Sequence, residues 1–328
     1  MELTQFGPDD EAALRDCVTV CNAVAKHDSP WQPAFTEAGM AAQLRYGWDL
    51  EPRVPFLAVA GGEAVGYASY STSERDNLHL AWLTVEVHPD HRRHGLGSAI
   101  HDALVERARG LGRTSVGTAG WDIDGTSAFA AKHGFELGSV SVNRRQVLAD
   151  VDWPDVERRH AEARRKADDY ELIRRTGRSP DEELEALAEM TAAINDAPTD
   201  DLDIEDEVFS AERVSDYETA QLARGGAFHR IYARHRGTGE LAGQTVVAVE
   251  PDRPQLGDQH DTSVVRAHRG HRLGLLLKAE MMLWLRETQP QIESVDTWNA
   301  ESNDFMIGVN ELLGYRIMGR ELAFQKTV

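Results

Sequence analysis

The chain repeats one pattern of residues twice, and this repeat is the feature that most restricts its fold. Residues 80–109 read as an apolar strand, a short turn, a basic loop with glycines, and a helix with an apolar face. Residues 260–288 contain the same elements in the same order. A chain with this pattern is expected to fold as two similar domains.

The spacing between matching residues supports a duplication. Arg92 of the first copy matches Arg269 of the second, and the Gly-Phe pair at 134–135 matches the Gly-Tyr pair at 314–315. Both markers repeat at nearly the same interval along the chain. A length of 328 residues also fits two domains, because one domain usually spans about 100–200 residues.

The segment between the copies is charged and helix-prone. Pro154 suits the first turn of a helix that continues to about residue 173. We predict an N-terminal domain over 1–150, a linker helix over 151–169 and a C-terminal domain over 170–328. The alternative is that this helix packs as an ordinary element of one domain.

Charge and composition exclude several classes of function. The net charge of −20 would repel a nucleic-acid backbone. No apolar run reaches the roughly 18 residues that a membrane span needs, and the N-terminus does not read as a signal peptide. Cys17 and Cys21 are spaced for packing on one helix face. We expect a cytoplasmic protein, monomeric or homodimeric, without nucleic-acid or membrane partners.

Zinc-site spacing, the GxSxG motif and the P-loop are absent, so no metal is expected.

The basic loop of the first copy has the chemistry of an anion site. A helix that starts after a glycine-rich loop presents unpaired N–H groups and the positive end of its dipole. Glycines let the backbone approach phosphate oxygens, although a Gly-x-Gly sequence also serves close helix packing. The residues predicted to bind phosphate are Arg93, His94, Gly95, Leu96, Gly97 and Ser98.

The order of motifs resembles the GNAT superfamily of N-acetyltransferases. Val87 and Pro89 precede the Arg-x-x-Gly-x-Gly loop at 92–97, and the Gly-Phe pair follows about 40 residues later. The second copy has Val264, a related loop at 269–274 and a Gly-Tyr pair, so the resemblance covers nearly the whole chain. The tandem layout is similar to actinobacterial double-GNAT proteins of the mycothiol synthase type.

This resemblance implies an α/β (α+β) fold in each half: a mixed, mostly antiparallel sheet, splayed at its fourth strand and flanked by helices. It also implies acetyl-CoA as cofactor, with its pantetheine arm held by the splayed strand. The matching strand residues are Val85, Glu86 and Val87 in the first copy and Thr262, Ser263 and Val264 in the second. The matching loop residues of the second copy are Gly270, His271, Arg272, Leu273, Gly274 and Leu275, with Asn303 as a further contact.

Each copy departs from the family pattern at a different place. Arg272 occupies the position of the first loop glycine, which puts the backbone approach of the second loop in doubt, although a guanidinium can itself grip phosphate. The first copy has Ile123 where the second has Asn303. The tyrosine that often acts as general acid is replaced by Ala130 and Asn310. Another acid must therefore serve, or the copy is inactive.

Acyl transfer to an amine also needs a base and a site for the acceptor. Glu86 and Asp261 are the candidate bases, and each is also explained as an ordinary strand or turn carboxylate. In the acidic stretch 195–209, Asp200, Asp201 and Glu205 are candidates for recruiting a cationic amine. A solvated acidic loop is the alternative.

The sequence thus predicts an acetyl-CoA-dependent N-acetyltransferase acting on a primary amine of a small molecule. Similarity to the mycothiol synthase type favours the second copy as the catalytic one. We hypothesise that only one copy catalyses the reaction, while the other supports the fold or binds cofactor. Two alternatives stay open, a non-catalytic acyl-CoA-binding or regulatory protein and a peptide or protein N-acetyltransferase.

Overall fold

Strands and helices follow one another in the order that the repeat predicts. The computed structural model describes residues 1–328. The first copy contains β1 (Glu2–Gln5), α1 (Glu11–Asp28), α2 (Glu37–Tyr46), β2 (Val54–Ala60), β3 (Glu63–Ser71), β4 (Leu80–Val87), α3 (Leu96–Gly110), β5 (Ser115–Trp121), α4 (Thr126–Lys132) and β6 (Glu136–Val147).

The second copy repeats this order after one additional helix. It contains α5 (Trp153–Lys166), β7 (Tyr170–Thr176), α6 (Leu184–Thr191), α7 (Ala211–Ala223), β8 (Ala227–His235), β9 (Leu241–Val249), β10 (Leu256–Val264), α8 (Leu273–Thr288), β11 (Ser294–Ala300), α9 (Asp304–Leu312) and β12 (Arg316–Thr327).

The chain divides into two units that do not follow the order of the sequence. The first unit consists of residues 1–141, 199–206 and 319–328, and the second of residues 142–198 and 207–318. The end of the last strand therefore belongs to the first unit. The predicted domain ranges did not include this exchange of segments.

Each unit is built on a sheet with mostly antiparallel pairs. The strand order of the first unit is β1-β2-β3-β4-β5-β12, and that of the second is β6-β11-β10-β9-β8-β7. In the first unit β12 runs antiparallel to β5, from Glu321 opposite Trp121 to Thr327 opposite Ser115. The β4–β5 and β10–β11 pairs are parallel. The predicted fold class, a mixed and mostly antiparallel sheet flanked by helices, is confirmed.

Apolar side chains cover both faces of each sheet. In the first unit α3 packs on one face through Ile100 and Leu104, and α1 covers the other through Leu14 and Val20. In the second unit α8 and α5 share one core cluster, in which Val156 of α5 is buried. The helix over the predicted linker range packs in this core cluster and lies within the second unit. No helix combines the length and apolar character needed to cross a bilayer.

The helices differ in whether a side chain caps their first turn. Asp10, Thr36, Asp152 and Ser210 accept hydrogen bonds from backbone N–H groups at the starts of α1, α2, α5 and α7. The starts of α3 and α8 have no such side-chain cap. Their first N–H groups are therefore left for another acceptor.

Candidate functional site

A cleft opens in the first unit where β4 and β5 separate. The two strands pair from Leu80 opposite Ser115 to Leu83 opposite Thr118, and pairing stops there although both strands continue. Beyond that point the main-chain groups of β4 that point toward β5 have no strand partner. A cavity of about 550 Å³ fills the gap, and the predicted strand residues Val85, Glu86 and Val87 line it.

The loop before α3 presents its backbone to this cavity. Arg93 and Gly95 have left-handed φ angles of 68° and 84°. A Cβ on Gly95 would meet no atom within 4 Å, so glycine serves conformation there, whereas a Cβ on Gly97 would lie 3.2 Å from the Phe129 ring. Gly95, Gly97 and Ser98 line the cavity. The uncapped first turn of α3 therefore has the geometry that an anion would require and lies next to the separated strands.

The remaining predicted loop residues have other contacts. His94 lies outside the cavity lining, and its Nδ1 is 3.3 Å from the carbonyl oxygen of His91. Leu96 packs against the apolar core under α3. The Ser98 hydroxyl accepts a hydrogen bond from Lys132 Nζ at 2.9 Å and lies 3.0 Å from His133 Nε2.

Two neighbouring arginines have different roles. Arg92 Nε donates to the Val87 carbonyl at 3.0 Å, and its two terminal nitrogens donate to the Asp28 carboxylate at 2.8 and 2.6 Å. Burial by itself would raise the pKa of Asp28, but hydrogen bonds from Arg92 and His27 lower it. Arg92 therefore ties the loop to β4 and α1. Arg93 is exposed and lines the cavity, which leaves its guanidinium available to an anion.

The second unit has a comparable cleft. β10 and β11 pair from Leu256 opposite Ser294 to Gln259 opposite Thr297, and then separate. A cavity of about 800 Å³ follows β10, and its lining includes predicted residues Thr262, Ser263, Val264, Gly270, Arg272, Leu273, Gly274, Leu275 and Asn303.

The second loop keeps the backbone shape of the first although its sequence differs. Gly270 and Arg272 have φ angles of 90° and 59°, matching the two left-handed residues of the first loop. Glycine and arginine have thus exchanged places. The left-handed conformation of Arg272 costs about 1–2 kcal/mol relative to a right-handed residue. Arg269 makes the same kinds of contact as Arg92. Its Nε donates to the Val264 carbonyl at 3.1 Å and a terminal nitrogen donates to the Asp196 carboxylate at 2.6 Å.

Two predicted contacts of the second copy are engaged within the protein. The His271 ring lies 5.5 Å from the Tyr170 ring and outside the cavity lining. Asn303 lines the cavity, but its side-chain oxygen accepts a hydrogen bond from the Met306 N–H at 3.2 Å and so caps α9.

Two carboxylates lie at the strand separation of the first unit. Glu86 lines the cavity from β4, and its Oε2 is buried without a hydrogen-bond partner. Burial raises the pKa of Glu86, although a hydrogen bond from the Cys21 thiol opposes this shift. Glu321 lines the same cavity from β12. Burial and the nearby Glu86 carboxylate raise the pKa of Glu321 to about 7.

Glu321 was not among the residues predicted from the sequence. It lies on the last strand of the chain, which pairs with β5 and places Glu321 opposite Trp121. No local spacing relates it to the loop or to β4. Only the pairing of the last strand with the first unit brings it to the cleft.

The second cleft lacks this pair. When Arg269 is aligned with Arg92, Ser263 stands where the first copy has Glu86, and its hydroxyl is buried without a partner. Asp261, the predicted base, does not line the cavity. Burial raises the pKa of Asp261, while His260 and Arg230 oppose the shift. The structure therefore places Asp261 on β10 just before the residues that line the second cavity, and not in the lining itself.

The predicted acceptor-binding carboxylates lie elsewhere. Residues 199–206 belong to the first unit. Asp200 accepts a hydrogen bond from Ser139 at 2.5 Å, the Asp201 N–H donates to the Gly138 carbonyl at 2.8 Å, and Glu205 accepts from the Asn77 N–H at 3.0 Å. Asn77 precedes β4, and the cleft opens at the other end of that strand. None of the three acidic residues lines either cavity.

Neither residue that replaces the family's general-acid tyrosine, Ala130 or Asn310, can act as a general acid. Ala130 is buried in the core under α3. Asn310 is 1% exposed, and its amide nitrogen donates to Asn299 at 3.3 Å. An acid for the reaction must come from another residue.

Comparison with known proteins gives matches at two levels. The sequence profile described as the acetyltransferase (GNAT) family matches residues 22–135. A tandem GNAT protein from the clavulanic acid biosynthesis pathway, solved without acetyl-CoA, is 25% identical, with 99% of this chain and 98% of that chain covered and a TM-score of 0.80. No curated protein sequence matches.

Two further solved structures share the fold at lower identity. A GCN5-related N-acetyltransferase from Sphaerobacter thermophilus is 16% identical, covering 99% of this chain and 95% of that chain, with a TM-score of 0.68. A GCN5-related glucosamine N-acetyltransferase region of a fungal multi-domain β-N-acetylglucosaminidase is also 16% identical, covering 98% of this chain and 38% of that chain, with a TM-score of 0.69. At such identity the likeness concerns the fold.

Proposed function

We propose that this chain, a tandem protein of the GNAT acetyltransferase family, transfers an acetyl group from acetyl-CoA to a primary amine of a small molecule in its first cleft. One observation supports this choice above the others. Only the first cleft combines an uncapped anion-binding helix start with the carboxylate pair Glu86 and Glu321. This choice differs from the one favoured by similarity to the mycothiol synthase type.

The first cleft fits the phosphate end and the amide arm of coenzyme A. The N–H groups of Leu96, Gly97 and Ser98 open α3 without a side-chain cap, and the exposed Arg93 lines the same cavity. The end of β4 from Val85 to Val87 would receive the amide arm, because it has no strand partner on the β5 side and only the Val87 carbonyl is occupied there, by Arg92 Nε. Acetyl-CoA bound there supplies the activated acyl group as a thioester.

The carboxylate pair supplies the proton chemistry. An amine arrives mainly as an ammonium at neutral pH and must lose a proton before it can attack. Glu321, whose pKa is raised to about 7, can accept that proton near neutral pH. Once protonated, Glu321 can pass that proton to the departing coenzyme A thiolate, which would replace the tyrosine absent at Ala130, while the second proton of the attacking nitrogen is released to solvent.

The second cleft fits the phosphate end of coenzyme A but has no carboxylate at the position of Glu86 to take part in catalysis. Its loop has the same left-handed pair of residues and an uncapped helix start, but Ser263 replaces the carboxylate. A neutral hydroxyl is a weak base at pH 7. We therefore assign this cleft to acyl-CoA binding alone, which retains the non-catalytic alternative for one half of the protein.

Thiol release provides the test. The protein is incubated with acetyl-CoA and a panel of primary amines, and free thiol is measured against time. We expect amine-dependent release that falls at least tenfold in Glu321→Gln and stays unchanged in Glu63→Gln, because Glu63 is an exposed carboxylate that does not line the cavity.

Two other outcomes would contradict the proposal. Measurable coenzyme A affinity without release for any amine would favour a non-catalytic binding protein. Release that occurs only with peptides, with acetylated N-termini or lysines detected by mass spectrometry, would favour a peptide or protein acetyltransferase.

A further inference from the structure

The first cleft has an unusual distribution of charge. Its basic residues Arg92, Arg93 and Lys132 are on or near the loop before α3, where Arg92 is bound to Asp28 and Lys132 to Ser98. At the strand separation the charged residues lining the cavity are acidic. The cavity therefore has a basic end suited to phosphate and an acidic end suited to a cation.

The two acidic side chains at this end are not neutralised by a close partner. Neither Glu86 nor Glu321 takes part in an ion pair, whereas Asp28, near Glu86, is bound by Arg92. The positive charges of Arg53 and Arg92 act on Glu86 without an ion pair, since Arg53 does not line the cavity and Arg92 is bound to Asp28. A buried carboxylate oxygen without a partner is costly, so a cationic ligand that paired with it would be favoured.

Aromatic side chains stand next to the carboxylates. Trp121 lines the cavity directly opposite Glu321 in the strand pair. Trp31 meets Trp121 edge to face, with ring centroids 5.1 Å apart. A Cβ on Gly319 would lie 2.3 Å from Trp31, so glycine is needed there for this close approach. An aromatic ring beside a carboxylate favours an ammonium with an apolar body.

We propose that the acceptor of the first cleft is a small primary amine that binds as an ammonium and has no carboxylate, with an alkyl or arylalkyl body placed beside Trp121. This inference rests on the proposed function and narrows its substrate class. A free amino acid places its own carboxylate within a few ångströms of the amine, and therefore next to Glu86 and Glu321. Like charges at such distances in a partly buried site repel strongly.

Matched pairs of acceptors test the proposal with the unmodified protein. Tyramine is compared with tyrosine and 3-methylbutylamine with leucine, and kcat/KM is measured for each by thiol release with acetyl-CoA. We expect at least a tenfold higher kcat/KM for the member of each pair without a carboxylate. Equal values, or higher values for the amino acids, would overturn the assignment while leaving the proposed function intact.

A variant separates the charge effect from the shape of the cleft. Glu86→Gln removes one negative charge and keeps the side-chain volume, so the preference for tyramine over tyrosine should fall several-fold even if the absolute rate also drops. Glu63→Gln should keep the wild-type preference. A preference unchanged in Glu86→Gln would overturn the role of the pair.

A binding measurement covers the case in which a variant loses activity. Calorimetry of tyramine with the wild-type protein in the presence of coenzyme A should show binding that weakens at least tenfold for tyrosine. Binding without that difference would overturn the assignment. No thiol release with any amine would overturn the proposed function itself.

Discussion

Lys278 offers a test of the structure that can be worked through in numbers. It lies on α8, is 1% exposed, and its Nζ has no hydrogen-bond partner. Its Nζ lies 4.7 Å from the centre of the Tyr315 ring. Burial lowers the pKa of Lys278 from 10.5 to about 7. Substitution by Met keeps an unbranched side chain and removes the amine.

The pKa shift sets both the size and the sign of the effect. The folded pKa lies below the unfolded value, so between pH 7 and pH 10.5 the unfolded chain binds more protons than the folded protein. The free energy of unfolding due to this group therefore rises with pH in that window. Each unit of pKa shift corresponds to about 1.4 kcal/mol. The buried amine therefore destabilises the folded protein by roughly 4 kcal/mol at pH 7, where it is half protonated, and by roughly 2 kcal/mol at pH 9.

Urea denaturation of the wild type and Lys278→Met at pH 7 and pH 9 measures this difference. We expect the variant to be more stable at pH 7, with an advantage that shrinks by about 2 kcal/mol at pH 9. Lys166→Met, at an exposed lysine of α5, should show no such dependence on pH. A stability difference that is the same at both pH values would refute the reasoning.

Three further predictions concern the first cleft. Gly97→Val places methyl groups against an aromatic ring 3.2 Å from the Cβ position and should weaken coenzyme A binding there about tenfold or more by calorimetry, while Gly110→Val, where a Cβ meets nothing, should not. Asp28→Asn removes the negative charge and one of the two oxygens that accept from Arg92, and should lower the free energy of unfolding by about 2 kcal/mol at pH 7. Because the pKa of Asp28 is lowered, this loss should diminish as the pH falls below 3.8, and equal losses at pH 7 and pH 3 would contradict it. Because Glu321 must be deprotonated to act as a base, kcat/KM should rise with pH and level off above about 7. A flat profile between pH 5 and pH 8 would argue against this role.

The fold and the positions of the two basic loops could be predicted because their signals are local. A helix start, a glycine that permits a left-handed residue and a strand of alternating burial all depend on residues within one or two turns of each other. The residues of both loops therefore lie where the repeat places them. The conformation of Arg272 could not be foreseen, because its side chain disfavours the left-handed angle that the surrounding loop imposes.

The acidic residues show the limit of local reasoning. Asp200, Asp201 and Glu205 form a conspicuous cluster in the sequence, yet their hydrogen bonds hold them near Ser139 and Asn77. Composition alone does not show which partners a carboxylate finds. A loop with several acidic residues is as compatible with such contacts as with a substrate site.

The sequence alone predicts the two copies, the order of their elements and the two basic loops, because each depends on short-range spacing. The assembly of the acidic end of the first cleft depended on folding in three dimensions. Glu86 and Glu321 lie in opposite halves of the sequence and meet because the last strand pairs with β5. Strand pairing over such a distance is decided by packing of the whole sheet, and no short-range pattern encodes it.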